Sequence, residues 1–495
     1  MPPPVLLWFR DDLRLTDHAA LHAAFATGQP VLPVYVLDEQ KPWALGGAAR
    51  WWLHHSLVAL GRDISRLGGR LILRRGGSAA AIVALVREVQ ATAVFTGGMT
   101  DPAERAIDRG LAVSLGDIGV ALHRKRTATV YGPDQVKTKA GGPFGVYSPF
   151  ARACLALPPP RDLWDAPKVW DAPKVWDGPK VWDGPKVWDP PKVWDGPKVW
   201  PAAEDAGHPI GADRIDDWRL LPSRPDWAGE LRATWTPGER GAMERLTGFL
   251  DEAVEHYAAR RDRPGGDNTS MLSPHLRFGE ISANQVFHAI AERKLSAGVE
   301  KFRNEMLWRE FSRHLLWHNP QLPETPLRAE FAAMPWRDDP AGLAAWRRGR
   351  TGVPIVDAGM RQLWRTGWMH NRVRMVVASF LVKHLLIDWR LGQAWFWDTL
   401  VDADLGNNAA SWQWVAGCGA DAAPYFRVFN PVLQGQKFDA EGTYVRRFVP
   451  ELSDVDTRHI HAPWEVGHTA PIVDLAEGRA RALAAFAGLR REEAG

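Results

Sequence analysis

Proline recurs at every sixth residue from Pro167 to Pro197. The six units are LWDAPK, VWDAPK, VWDGPK, VWDGPK, VWDPPK and VWDGPK. No regular helix survives proline at that interval, and a strand ladder loses a donor at each one. Residues 163–200 therefore belong to no continuous core. They split the 495-residue chain into two parts, each long enough to bury a core of its own. Each unit carries one Asp and one Lys, so the repeat exerts no net electrostatic pull. Its tryptophans could stack on bases, but a neutral, polyproline-like spacer is the expected state. Deleting Leu163–Lys198 is then expected to leave activity in place.

Before the repeat, apolar runs alternate with amphipathic stretches. Val5–Phe9, Val31–Leu37, Arg70–Leu73 and Ala93–Thr96 read as buried strands, and Ala48–Leu67 and Ser78–Val89 as helices. That alternation predicts an α/β domain over 1–131, a doubly wound, Rossmann-like parallel sheet covered on both faces. Thr16-Asp17 is the expected N-cap of the first helix. The loop after the first strand reads RDDLRLTD, so the glycine fingerprint of dinucleotide sites is absent there. Residues 132–215 read as a linker, with 132–162 as loop. From 216 to 489 the periodicity is helical, with long segments at Gly238–Ala259, Ser282–Lys294, Lys301–His314, Val356–Arg365 and Arg372–Lys383.

The net charge is only +3, yet it is uneven. Between Ala345 and Arg374 stand Arg347, Arg348, Arg350, Arg361, Arg365, Arg372 and Arg374 against the single acid Asp357. Such a local excess suits phosphates. The two cysteines, Cys154 and Cys418, show neither metal spacing nor a disulfide framework, so no metal is expected and a reducing, cytoplasmic setting is. The five apolar residues Val5–Phe9 are too few for a membrane span, and no membrane partner is expected.

The densest chemistry lies in DADLGNNAASWQW, Asp402 to Trp414. Two residues apart on a helix, Trp412 and Trp414 point about 200° from each other. A helix carrying them would form a wall between two compartments, although a capped helix end with packed aromatics explains the same residues. Asn268–Ser273 puts hydroxyls and amides after a Pro-Gly-Gly turn, which suits a pyrophosphate or a plain N-cap. Glu305, Trp308 and Arg309 share a helix face, able to bond a base, stack on it and hold a phosphate, or to form a salt bridge beside a core indole. Asn371 and Met375 pair a neutral amide with a soft thioether, which suits an uncharged planar ligand or a buried helix start.

These motifs together resemble the DNA photolyase/cryptochrome family, most closely the class I cyclobutane pyrimidine dimer photolyases. The resemblance rests on WFRDDLRLTD (8–17), WTPGERGAMERL (235–246), NTSMLSPHLRFGEIS (268–282), NEMLWREFSRHLL (304–316), residues 351–390 and residues 402–431. It implies FAD held in the helical domain by Tyr257, Thr269, Ser270, Met271, Leu272, Ser273, Arg374, Asp402, Ala403 and Asp404, with Arg374 paired to Asp402. It implies Asn408 beside the reactive flavin nitrogen and an electron chain through Trp336, Trp389 and Trp412. Glu305, Trp308, Asn371, Met375 and Trp414 would line the lesion pocket, and Arg261, Arg309, Arg372 and Gln434 would contact DNA. The implied activity is light-driven electron transfer from reduced FAD to a flipped-out dimer, by a monomer whose partner is UV-damaged DNA.

One departure concerns an antenna chromophore of the methenyltetrahydrofolate or deazaflavin type. In MTDPAERAID, Glu104 fits a folate-binding pair, but Ala103 stands where an Asn is expected. Three rivals remain: a cryptochrome-type blue-light receptor, a (6-4) photolyase and a dark flavin oxidoreductase. Asn371 speaks against the second, where His is expected. The third would need an acid or base beside the flavin, where only amides and tryptophans are apparent.

Overall fold

The computed structural model describes residues 2–170, 213–421 and 426–492. The hexads beyond Trp170, with the spacer conformation expected of them, lie outside these residues. Five strands, β1 (Val5–Phe9), β2 (Val31–Leu37), β3 (Ile72–Arg75), β4 (Ala93–Gly97) and β5 (Ala121–Lys125), form one parallel sheet in the order β3-β2-β1-β4-β5. Helices α1 (Ala19–Phe25) and α2 (Gly47–Arg66) pack on one face. Helices α3 (Ser78–Val89) and α4 (Pro102–Gly116) cover the other. Covering both faces is why β1 and β2 are unbroken apolar runs.

The third strand starts two residues later than expected, at Ile72. The fifth was not expected at all. Its sequence, ALHRK, is polar because it is a largely exposed edge strand. The α1 cap is also corrected: His18, not Thr16 or Asp17, accepts the Leu21 amide at 3.1 Å. Asp17 is drawn away in a left-handed conformation (φ 53°). Its carboxylate accepts from Ser282 Oγ at 2.6 Å and pairs with Arg161 at 2.5 Å.

The supposed loop 132–162 contains a helix, α5 (Tyr147–Leu155). Phe150, Ala151 and Cys154 bury it in the helical domain's core. That domain continues with α6 (Gly229–Thr234), α7 (Glu239–Glu252), α8 (Tyr257–Arg260), α9 (Ser273–Arg277), α10 (Ala283–Ala291) and α11 (Ala297–His318). Next come α12 (Pro340–Arg347), α13 (Pro354–Thr366), α14 (Asn371–Ser379), α15 (Trp389–Thr399) and α16 (Leu405–Ala416). It ends with α17 (Pro431–Phe438), α18 (Thr443–Phe448) and α19 (Leu475–Glu492).

The loop after β1 seals the two domains together. Arg14, almost wholly buried, donates to Gly279 O at 2.9 Å and Thr127 O at 3.1 Å. Glu239 of α7 accepts the amides of Leu15 and Thr16 at 2.9 and 3.0 Å. Gly279 sits at φ 64°, and a Cβ there would overlap the Asp11 backbone. Only glycine permits that close approach.

The first two repeat tryptophans are anchored, which corrects the free-spacer expectation for residues 163–170. Trp164 stacks on His22 with ring centroids 4.9 Å apart, under the Arg161 guanidinium. Trp170 is 2% exposed. Its backbone N–H donates to Leu67 O at 2.7 Å and its Nε1–H to Val31 O at 2.9 Å. Gly69 leaves the space its ring fills.

Candidate active site

Helix α16 carries both tryptophans that were expected to point apart. Asp404 caps it, accepting from the Asn407 amide at 2.9 Å and from Arg313 Nη2 at 2.7 Å. Burial opposes ionisation of Asp404, but Arg313, Arg309 and Arg277 overcome it and lower its carboxyl to about 2. Trp412 is 2% exposed, with its ring 5.0 Å from that of Phe396. Trp414 is half-buried on the other side and donates to Asp421 O at 3.2 Å.

One side is a set of buried polar groups. Arg374 donates to Met369 O and to Asp402 Oδ2, both at 2.7 Å, so the expected Arg374–Asp402 pair is present. Asp402 Oδ1 is buried without a hydrogen-bond partner. Asn408, also buried, donates to Gln393 O at 3.1 Å. The Ala403 carbonyl accepts from Arg277 Nε at 2.6 Å, which fixes the backbone between the two aspartates. Met271 takes a left-handed turn (φ 50°), and Trp368 Nε1 donates to Ser273 Oγ at 3.2 Å. Leu272 is buried, Ser273 is exposed, and Thr269 and Ser270 are half-buried. Tyr257 is buried edge-on to Phe249 and Phe302, 5.3 and 5.6 Å between centroids.

The three tryptophans expected to form an electron chain fall on neighbouring segments. A Cβ at Gly392 would overlap the Trp412 ring, so this ring lies on α15 one turn from Trp389. Arg337 N donates to Leu386 O at 2.8 Å, which brings the residue after Trp336 beside the start of α15. Trp412 and Trp389 are buried, and Trp336 is half-buried.

On the other side, charged groups form a continuous run. Glu305 pairs with Lys301 at 3.2 Å and with Arg261. Arg261 reaches Asp262 at 3.6 Å, and Asp262 accepts from Arg372 at 2.8 Å. The Arg372 guanidinium lies over the Phe438 ring at 4.4 Å, one helical turn from Gln434 on α17. Asn371 is exposed and Met375 half-buried at the start of α14. Tyr147 of α5 stacks on Trp308, 3.7 Å between centroids, and donates to Asn304 O at 2.9 Å.

Arg309 departs from its expected DNA contact. It donates to Ala128 O at 2.9 Å and Leu276 O at 3.2 Å, tying α11 to the α/β domain and to α9. Glu104 is likewise committed internally, to Arg10 at 3.2 Å and to Lys41.

The arrangement matches known proteins along its whole length. The FAD binding domain of DNA photolyase matches residues 302–488, and the DNA photolyase domain matches residues 5–168. A deoxyribodipyrimidine photo-lyase of Agrobacterium fabrum is 46% identical over 99% of this chain and 98% of its own. The chain belongs to the DNA photolyase/cryptochrome family. Cryptochrome-1 of Arabidopsis thaliana, another member, is 34% identical over 99% of this chain and 71% of its own. The crystal structure of a bacterial class III photolyase from Agrobacterium tumefaciens superposes with a TM-score of 0.88 at 45% identity, covering 99% of this chain and 98% of that one. The motifs pointed to class I, whereas this solved neighbour is described as class III.

As in the family, the helical domain is an FAD-binding domain. Its residues fit that group: the orphaned Asp402 Oδ1 is a buried acceptor without a donor, and FAD offers amine and imide N–H groups. A photolyase from Sulfolobus tokodaii, 26% identical with a TM-score of 0.80, is described with two FAD molecules. Sequence reasoning missed Tyr147, Asp262, Lys301, Phe438 and Gly392. Lys301 was legible, four residues before Glu305 on a helix. Tyr147 and Phe438 reach the site only through tertiary packing.

Proposed function

We propose that the protein repairs cyclobutane pyrimidine dimers in UV-damaged DNA under light. The observation that carries this reading is the charged run Glu305–Arg261–Asp262–Arg372, which starts one helical turn from Trp308 on α11 and ends over the Phe438 ring. A flipped-out dimer needs a stacking surface, donors and acceptors for its base edges, and cations for its phosphates. FAD, when bound and reduced, would lend the dimer one electron under light, and because ring splitting is redox-neutral that electron would return once both carbon–carbon bonds are broken.

Asp402 and Arg374 hold and orient that cofactor, and Asn408 faces it with a neutral amide. Trp308 and Trp414 stack against the dimer and exclude water from it. Asn371 and Met375 line the pocket without adding charge. Glu305 accepts a hydrogen bond from the N–H edge of the dimer, and the cations paired with it, Lys301 and Arg261, favour the extra electron there. Arg261, Arg372 and Gln434 hold the flanking strand, so affinity falls with salt. Trp336, Trp389 and Trp412 relay electrons between the surface and the cofactor.

Reduced protein mixed with UV-damaged thymine oligomers tests this. Dimers should disappear in light and persist in the dark, and dimers that persist in light would refute the reading. The similarity to Cryptochrome-1 supports a second reading, a blue-light receptor, which requires light-dependent flavin reduction without dimer loss. Persistence of (6-4) products beside loss of dimers separates the (6-4) photolyase rival, and the need for light separates the dark oxidoreductase.

A further inference from the structure

The arginine-rich stretch of residues 345–374 is divided in two by the fold. Arg372 and Arg374 turn to the lesion and flavin sides. Arg348, Arg350, Arg361 and Arg365 line a separate surface cavity of about 400 Å³, together with Trp364, Met360 and Glu451. None of these residues belongs to the site described above.

The cavity is built for an anion with a flat face attached. Trp364 is 54% exposed, which is unusual for an indole. It stacks on Trp395 with planes 5° from parallel, and the Arg347 guanidinium lies over Trp395. The stack holds Trp364 in place while leaving much of it to solvent. Two of the four arginines are neutralised: Arg361 pairs with Glu451 at 2.7 Å, and Arg365 with Glu230 at 2.6 Å. Arg348 and Arg350 are exposed and make no ion pair among the described residues. Arg350 helps to hold Glu451 ionised without making a close ion pair with it, so both guanidiniums remain open to a terminal phosphate.

We propose that this cavity binds a free nucleoside di- or triphosphate, its base extending the Trp364–Trp395 stack and its terminal phosphate on Arg348 and Arg350. The size favours one nucleotide over a strand, because small-molecule pockets span roughly 300–1,000 Å³. Glu451 favours the same choice, since its carboxylate at the wall repels a continuing phosphodiester chain.

The test is isothermal titration of the FAD-loaded protein with ADP. ADP should bind at micromolar concentration. Trp364→Ala should weaken it at least fivefold, and the double variant Arg348→Glu, Arg350→Glu at least tenfold. FAD content and light-driven repair should be unchanged in both variants, which separates this site from the flavin site. Inorganic phosphate should bind at least tenfold more weakly than ADP. Failure of ADP to bind, or binding untouched by either variant, would overturn the proposal. So would phosphate binding as tightly as ADP, or a single-stranded oligonucleotide binding more tightly through Trp364.

Discussion

Tyr147 lies flat on Trp308, with ring planes 5° from parallel and centroids 3.7 Å apart. The stack gives the proposed lesion side a two-ring platform made from both parts of the chain, α5 before the repeat and α11 after it. Base stacking on such a ring contributes about 1–3 kcal/mol. Trp308→Ala should therefore weaken binding of a dimer-containing oligonucleotide by roughly five- to 150-fold. Fluorescence anisotropy reads this, and FAD content should not change.

Trp412 and Gly392 form a second testable contact. Trp412→Phe should block light-driven reduction of oxidised FAD yet spare repair by protein reduced beforehand. Gly392→Ala forces a methyl into the Trp412 ring, and overpacking of this kind costs about 1–3 kcal/mol. It should slow photoreduction as well as lower thermal stability. Unchanged photoreduction in both variants would place the electron route elsewhere.

Asp402→Ala and Arg374→Ala should each lower FAD content several-fold, read as the ratio of flavin to protein absorbance. Glu305→Ala should do the opposite: full FAD content with reduced repair yield. FAD loss in the Glu305 variant would move that residue to the flavin side.

Acid should weaken the fold in a defined window. Burial lowers His314 and His370 from the ordinary 6.5 to about 4. The unfolded chain takes up those protons first, so stability is full above about 6.5 and falls as pH drops toward 4. Each histidine contributes on the order of 2–3 kcal/mol across that range. Denaturant titrations at pH 7 and pH 5 should differ accordingly, and His370→Asn should shrink the difference.

Trp170→Ala should cost about 3–5 kcal/mol, as for other large buried aromatics. Chemical denaturation checks this. A loss below 1 kcal/mol would return the first hexads to the status of a spacer.

What the sequence made legible follows from where each signal resides. β1 and β2 were clear because burial on both faces leaves unbroken apolar runs. β5 was hidden because an edge strand needs no such run. α5 was hidden by the Gly and Pro around it, and Asp17 left its expected cap for partners up to 267 residues away. The Trp412/Trp414 opposition was legible from helix geometry alone. Arg309 was not, because a guanidinium suits a phosphate and two backbone carbonyls equally, and only the domain interface decides.

The anchoring of Trp170 bears on how the repeat can change length. Every unit after the first presents Val-Trp-Asp at the same six-residue interval. Losing or gaining one whole unit in the array therefore restores a Val-Trp pair at 169 and 170. The anchor is inherited through any in-register expansion or contraction, and only a change that breaks the six-residue phase would remove it.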